Sequence, residues 1–145
     1  MTLRDWQNNG WLQPHKTSRR EIADLLAIAE RDLKDAGGNI SADWRFGIAY
    51  NAALKLCAVL LRAEGYRPTH SLHHYRTLAA LPLILGEQRK DDADYLEACR
   101  RKRNLVEYDR IGGVTEADAS ELEAFVEKLM SHARQWLKNK HPELV

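Results

Sequence analysis

Residues 100–110 read "RRKRNLVEYDR", in which Arg100, Arg101, Lys102, Arg103 and Arg110 face only Glu107 and Asp109, a formal +3 in a chain whose total is +1. At about 100° per residue on a helix, Asp92, Tyr95, Leu96, Cys99, Arg103 and Val106 share one broad stripe. Arg103 therefore falls on or beside the face that should pack, where a solvated cation would normally turn away. Glu107 follows four residues later and can pair with it along the helix. Asn104 and Tyr108 are also four apart, on an adjoining face. A guanidinium fork suits phosphate, an amide can hold a phosphate oxygen or a base edge, and a phenol offers a donor and a stacking surface. The competing reading is a solvated basic helix with an ordinary Arg–Glu pair.

Other residue types that could do chemistry give weaker patterns. His70, His73 and His74 in "PTHSLHH" have helix-like spacing, but no carboxylate or thiol motif completes a metal set, so capping or packing is expected and no metal. Cys57 and Cys99 sit among apolar neighbours without metal spacing and read as buried thiols in a reducing compartment. Arg67 in "GYRP" reads as a cap on the preceding helix. Trp44 and Trp136 read as core or dimer-contact residues. "AGGN" and "IGGV" follow helices rather than opening them, so neither cradles phosphate. No Ser-centred nucleophile motif and no cofactor-binding pattern are present.

The elements that must position these groups are helical. A leading arm, residues 1–17, carries Trp6, Trp11 and Pro14 and is expected to be irregular, anchored by its aromatics. Ser18 and Glu21 have capping-box spacing, and Ile22, Leu25, Leu26, Ala29, Leu33 and Ala36 recur at steps of three and four. Ser41 opens a second helix with a wide alanine-rich apolar face ending at Gly65, the central helix of the fold. A short helix follows over about Ser71 to Leu85, and a long one over about Asp91 to Arg110. Thr115 and Asp118 cap the last, whose stripe runs through Leu122, Phe125, Val126, Leu129, Ala133, Trp136 and Leu137. No segment alternates with period two. The expectation is all-α: an antiparallel helical bundle of four main helices plus one short helix, in one domain over 18–145.

With 145 residues, 44% apolar and 30% charged, the chain can bury a core and is not disordered. A near-neutral total charge argues against coating nucleic acid wholesale but leaves room for a local patch. The run from Ala79 to Leu85 is too short to span a bilayer and is broken by Pro82, and the N-terminus lacks an apolar signal core. A cytoplasmic protein without a membrane segment is expected.

"RKRNLVEYD" followed by "GGVTEADASELEAFVEKL", together with "FGIAYNAALKLCAVLLRAEGYRP" and the His-bearing segment after it, resembles the HEPN superfamily (higher eukaryotes and prokaryotes nucleotide-binding domains), over roughly Ser18 to Leu137. The resemblance implies a helical bundle that forms a homodimer, with an Arg–polar motif from each subunit lining a shared cleft for nucleotide or RNA. Many members are metal-independent RNases of toxin–antitoxin or defence systems, often beside a nucleotidyltransferase partner. Carried over, Arg103 takes the motif Arg and Asn104 the polar position. The motif His is absent: Tyr108 is the next candidate, and no His lies between His74 and His132. Some members carry a Tyr seven residues after the Arg, where this chain has Arg110; starting instead from Arg101 brings Tyr108 to that spacing but leaves Val106 at the His position.

Imidazole exchanges protons near neutral pH, with an unperturbed pKa of about 6.5. A phenol near 10 is a poor base. The expectation is therefore binding of nucleotide or RNA by Arg103, Asn104, Glu107 and Tyr108. Cleavage through Arg103, Asn104 and Tyr108 is the first alternative, and a purely structural helical dimer or interaction module the second.

Overall fold

The computed structural model describes residues 1–70, 72–108 and 113–145, with the side chains of residues 106–108 outside the description. Four long helices dominate it: α2 (Arg19–Ala36), α3 (Ala42–Ala63), α6 (Lys90–Tyr108) and α7 (Glu116–Lys140). Shorter pieces are α1 (Leu3–Asn8), α4 (His73–Ala79) and α5 (Leu81–Leu85). A ribbon of β1 (Leu12–Pro14) and β2 (Tyr66–Pro68) completes the order. The fold is all-α.

Side-chain ties fix the helix directions. At one end Arg62 of late α3 meets Glu21 of early α2 at 3.0 Å, and at the other Arg45 Nε donates to the Ala36 carbonyl at 2.8 Å, so α2 and α3 are antiparallel. Arg45 also reaches Glu116 and Glu123 of early α7, while Lys140 of late α7 reaches Glu64 just past α3, so α3 and α7 run parallel. Lys102 pairs with Asp118, and Arg89, just before α6, meets His132, which sets α6 antiparallel to α7. Successive long helices thus alternate in direction, as an antiparallel bundle does.

α3 is the hub. Leu56, Val59, Leu60, Ala49, Ala52 and Ala53 are fully buried. The alanines leave room for neighbours on several sides, and each buried leucine contributes about 1.5–3 kcal/mol of transfer free energy. This helix is long and apolar enough to cross a membrane by length and composition, which the sequence expectation overlooked, but 67% of its apolar window is buried inside the fold. Core packing accounts for its hydropathy. Ile22, Leu26 and Ala29 of α2 and Leu122, Val126, Leu129, Ala133 and Leu137 of α7 close the core around it.

Three local expectations change. The leading arm is not irregular: Thr2 and Asp5 form a reciprocal capping box that starts α1, and β1 pairs antiparallel with β2 in the register Leu12↔Pro68, Gln13↔Arg67, Pro14↔Tyr66. Prolines lack the N–H a ladder needs, so the pair stays at three residues. The arm's aromatics do anchor it: Trp6 and Leu12 pack with Leu61 and Ala80 in a small second core, and Trp11 meets Trp6 edge-on at 5.8 Å. The single short helix expected over 71–85 is two, because Pro82 has no N–H to continue α4 and instead begins α5. The Ser18 cap is one-sided. Ser18 Oγ accepts from the Glu21 amide, but the Glu21 carboxylate turns to His15, Thr17 and Arg62.

Candidate functional site

Ala93, Leu96 and Cys99 carry α6 onto the core, and Arg103 is the next position along that stripe. Its side chain does not leave. It stays half-buried, with the guanidinium carbon 5.2 Å from the ring centroid of Tyr50 on α3 and Nε shielded from water. An Arg over an aromatic face gains electrostatically from the ring's negative face, more so when partly desolvated. Tyr50 is 1% exposed. Burial pushes its phenol well above the ordinary range, with Arg103 and Arg100 pulling the other way. Asn104 is half-buried beside Arg103. The side chains of Glu107 and Tyr108, and with them the expected Arg103–Glu107 pair, lie outside the described residues, as does Arg110.

The other α6 cations do not simply raise the local potential, as the charge run suggested. Arg100 is forked on Glu97 at 2.6 and 2.9 Å, and Arg101 reaches the same carboxylate at 3.2 Å. The Arg100 hydrogen bonds hold the Glu97 carboxyl below its usual range. Lys102 pairs with Asp118 at 2.7 Å. Arg100 and Arg101 thus share one carboxylate and Lys102 has its own, while Arg103 sits over the Tyr50 ring.

Positive charge without carboxylate partners among the described residues lies next door. A cavity of about 540 Å³ opens between α3, α4 and the ribbon, floored by Leu25, Leu54, Ala58 and Leu61. Lys55 of α3 and Arg67 of β2 line it, with His70, His73 and His74 at the start of α4. Arg67 does not cap α3, as its sequence position suggested: backbone bonds from Glu64 to Leu60 and from Gly65 to Arg62 close that helix, and Gly65 at φ +92 makes the turn that an L side chain would resist. Between His70 and His73, Leu72 sits at φ 54, a conformation costing a non-glycine residue about 1–2 kcal/mol. The rings of His73 and His74 meet edge-on, 4.4 Å apart. Among the described residues no His, Cys, Asp and Glu cluster is arranged to hold a metal.

His74 joins the cavity to α6. Burial lowers its pKa, and His73, Arg103, Lys55 and Arg100 lower it further. The imidazole is neutral at neutral pH and can accept a proton or donate a hydrogen bond. Both thiols are inert by burial, Cys57 pushed up to about 12 and Cys99 to about 11. Trp44 is not a core residue: it is 67% exposed, whereas Trp136 packs half-buried against the core.

Sequence reasoning missed Tyr50 and Lys55. Both lie on the central apolar helix, where a phenol and an ammonium in a run of Ala and Leu were the available signal. Neither a known family profile, nor a characterised protein, nor a solved structure matches the chain at a significant level.

Proposed function

We propose that this chain is a HEPN-like helical protein that binds nucleotide or RNA phosphate on the α6 face at Arg103 and Asn104. Glu107 holds the arginine and Tyr108 adds a stacking or hydrogen-bonding group. The observation that carries this reading is Arg103 seated half-buried on Tyr50. A guanidinium already partly desolvated and oriented loses little freedom when it takes up a phosphate, and its fork matches two phosphate oxygens. The protein acts in the cytoplasm as a homodimer across α6, in a toxin–antitoxin or defence setting with a nucleotidyltransferase partner. Leu105, beside Asn104 and 54% exposed, supports a helix that a second subunit covers.

His74 favours a second reading, metal-independent RNA cleavage. α6 offers no imidazole of its own, but His74 lies within the electrostatic reach of Arg103 and is held neutral, the state a general base needs. Expression of wild type, Arg103→Ala and His74→Ala, followed by growth measurement and RNA analysis, tests both readings. Growth arrest with RNA degradation, lost in both variants, establishes cleavage. Normal growth and intact RNA, with nucleotide or RNA binding lost in Arg103→Ala, establish binding alone. Binding that survives Arg103→Ala defeats the site.

A further inference from the structure

We propose that the cavity between α3, α4 and the β1–β2 ribbon is a separate binding site for a small organic phosphate, a phosphomonoester on a compact apolar body.

Three observations lead there. The first is charge without compensation. Several cations elsewhere are paired, among them Arg62 with Glu21, Arg45 with Glu116 and Glu123, Lys102 with Asp118 and Lys140 with Glu64. Others, such as Lys34 and Lys128, have no ion pair among the described residues but are exposed to water, so partial burial is what sets Lys55 apart. Lys55 and Arg67 have no ion-pair partner among the described residues, and the lining contains no carboxylate. Lys55 is also half-buried on α3, the most apolar of the long helices, a costly place for an ammonium with no anion paired to it among the described residues.

The second is convergence. Lys55 comes from the middle of α3, Arg67 from β2, and His70, His73 and His74 from the start of α4, so groups far apart in the chain meet around one opening. Arg67, His70 and His73 are exposed at the mouth, while Lys55 and His74 are half-buried further in. Five nitrogen-bearing side chains around one volume suit an oxyanion with several acceptor oxygens. Arg62, also in the wall, is already engaged by Glu21 at 3.0 Å and serves as wall rather than anchor.

The third is the floor. Leu54 and Leu61 are buried beneath the cavity, with Leu25 and Ala58 half-buried beside them. A volume of about 540 Å³ fits the range in which small-molecule ligands are held. A nucleic-acid backbone would meet the cations but leave the apolar floor wet. A phosphate on a small apolar body satisfies both.

This site does not depend on the α6 reading, and the test separates them. Isothermal titration calorimetry on the full chain compares phenyl phosphate, inorganic phosphate and phenol, in wild type, Lys55→Met, Arg67→Gln and Arg103→Ala. Lys55→Met keeps the unbranched stem, and Arg67→Gln changes an exposed position on β2, so the fold is not at stake in the second variant. Phenyl phosphate should bind more tightly than either fragment. Lys55→Met and Arg67→Gln should each weaken it by roughly 10- to 100-fold, the effect of losing a charge-assisted hydrogen bond, and Arg103→Ala should change it less than about twofold for want of a direct contact. Absence of phenyl phosphate binding overturns the proposal. So does binding indifferent to both Lys55→Met and Arg67→Gln, or inorganic phosphate binding as tightly as phenyl phosphate.

Discussion

Tyr50→Phe isolates the hydroxyl at the centre of the structure from the ring that carries it. Tyr50 is 1% exposed, and its hydroxyl has no hydrogen-bond partner among the described residues. A buried hydroxyl without a partner costs about 1–3 kcal/mol of desolvation. Phenylalanine removes that cost and keeps the ring under Arg103, whose guanidinium carbon sits 5.2 Å from the ring centroid. The small void left by one oxygen offsets part of the gain, so the net expectation is a stabilisation of about 1 kcal/mol, or roughly 3 °C in Tm for a domain of this size. Urea titration followed by circular dichroism, with calorimetry for Tm, measures it. Tyr50→Leu is the companion: it removes the ring, leaves a cavity and unseats Arg103, and should cost about 3 kcal/mol. Ligand binding on α6 should survive Phe and fall with Leu. A loss of more than about 1 kcal/mol in Tyr50→Phe would show that the hydroxyl is bonded and would refute the reasoning.

Further outcomes follow from individual contacts. Asn51 Nδ2 donates to the buried Asp32 carboxylate at 2.6 Å, so Asn51→Ala should destabilise by about 2 kcal/mol in urea titration, whereas Arg20→Ala, on an exposed pair with Asp24 at 4.0 Å, should leave stability unchanged. Lys102 and the Thr115 cap hold the Asp118 carboxyl down at about 2. Its folded-state pKa lies below its unfolded value, so its contribution is complete above about pH 4 and is lost as pH falls towards 2. Asp118→Asn should flatten the stability–pH curve across that window. Cys57 and Cys99 should resist a thiol reagent such as DTNB in the native protein and react in full in denaturant, because burial holds both thiols protonated.

The long helices were legible because their signals are local. Ser41, and Thr115 with Asp118, announce helix starts by side chains that reach three residues, and the stripe of α7 follows the helical period throughout. The ribbon was not, because Leu12–Pro14 finds its partner more than 50 residues away in Tyr66–Pro68 and neither strand alternates long enough to show a period. The Thr2–Asp5 capping box has a readable spacing, against which Pro14 and the aromatics of the arm suggest irregular chain. At the site, the wheel placed Arg103 on the packing face, and the side chain is half-buried there over Tyr50. The charge run misled for two reasons. Glu97 lies three and four residues before Arg100 and Arg101, a spacing that was visible, while Asp118 reaches Lys102 only through the fold. The cavity is a tertiary product: Lys55, Arg67 and His74 meet only once α4 and the ribbon fold onto α3.

The central claim is that Arg103 anchors a nucleic-acid phosphate, and fluorescence anisotropy of a labelled single-stranded RNA against wild type and Arg103→Gln, repeated across a salt series, tests it most directly. Arg103→Gln should weaken binding roughly 10- to 100-fold and reduce the slope of log affinity against log salt by about 0.7, the signature of one lost phosphate contact on a single strand. Equal affinity and equal slope in the two proteins would contradict the account.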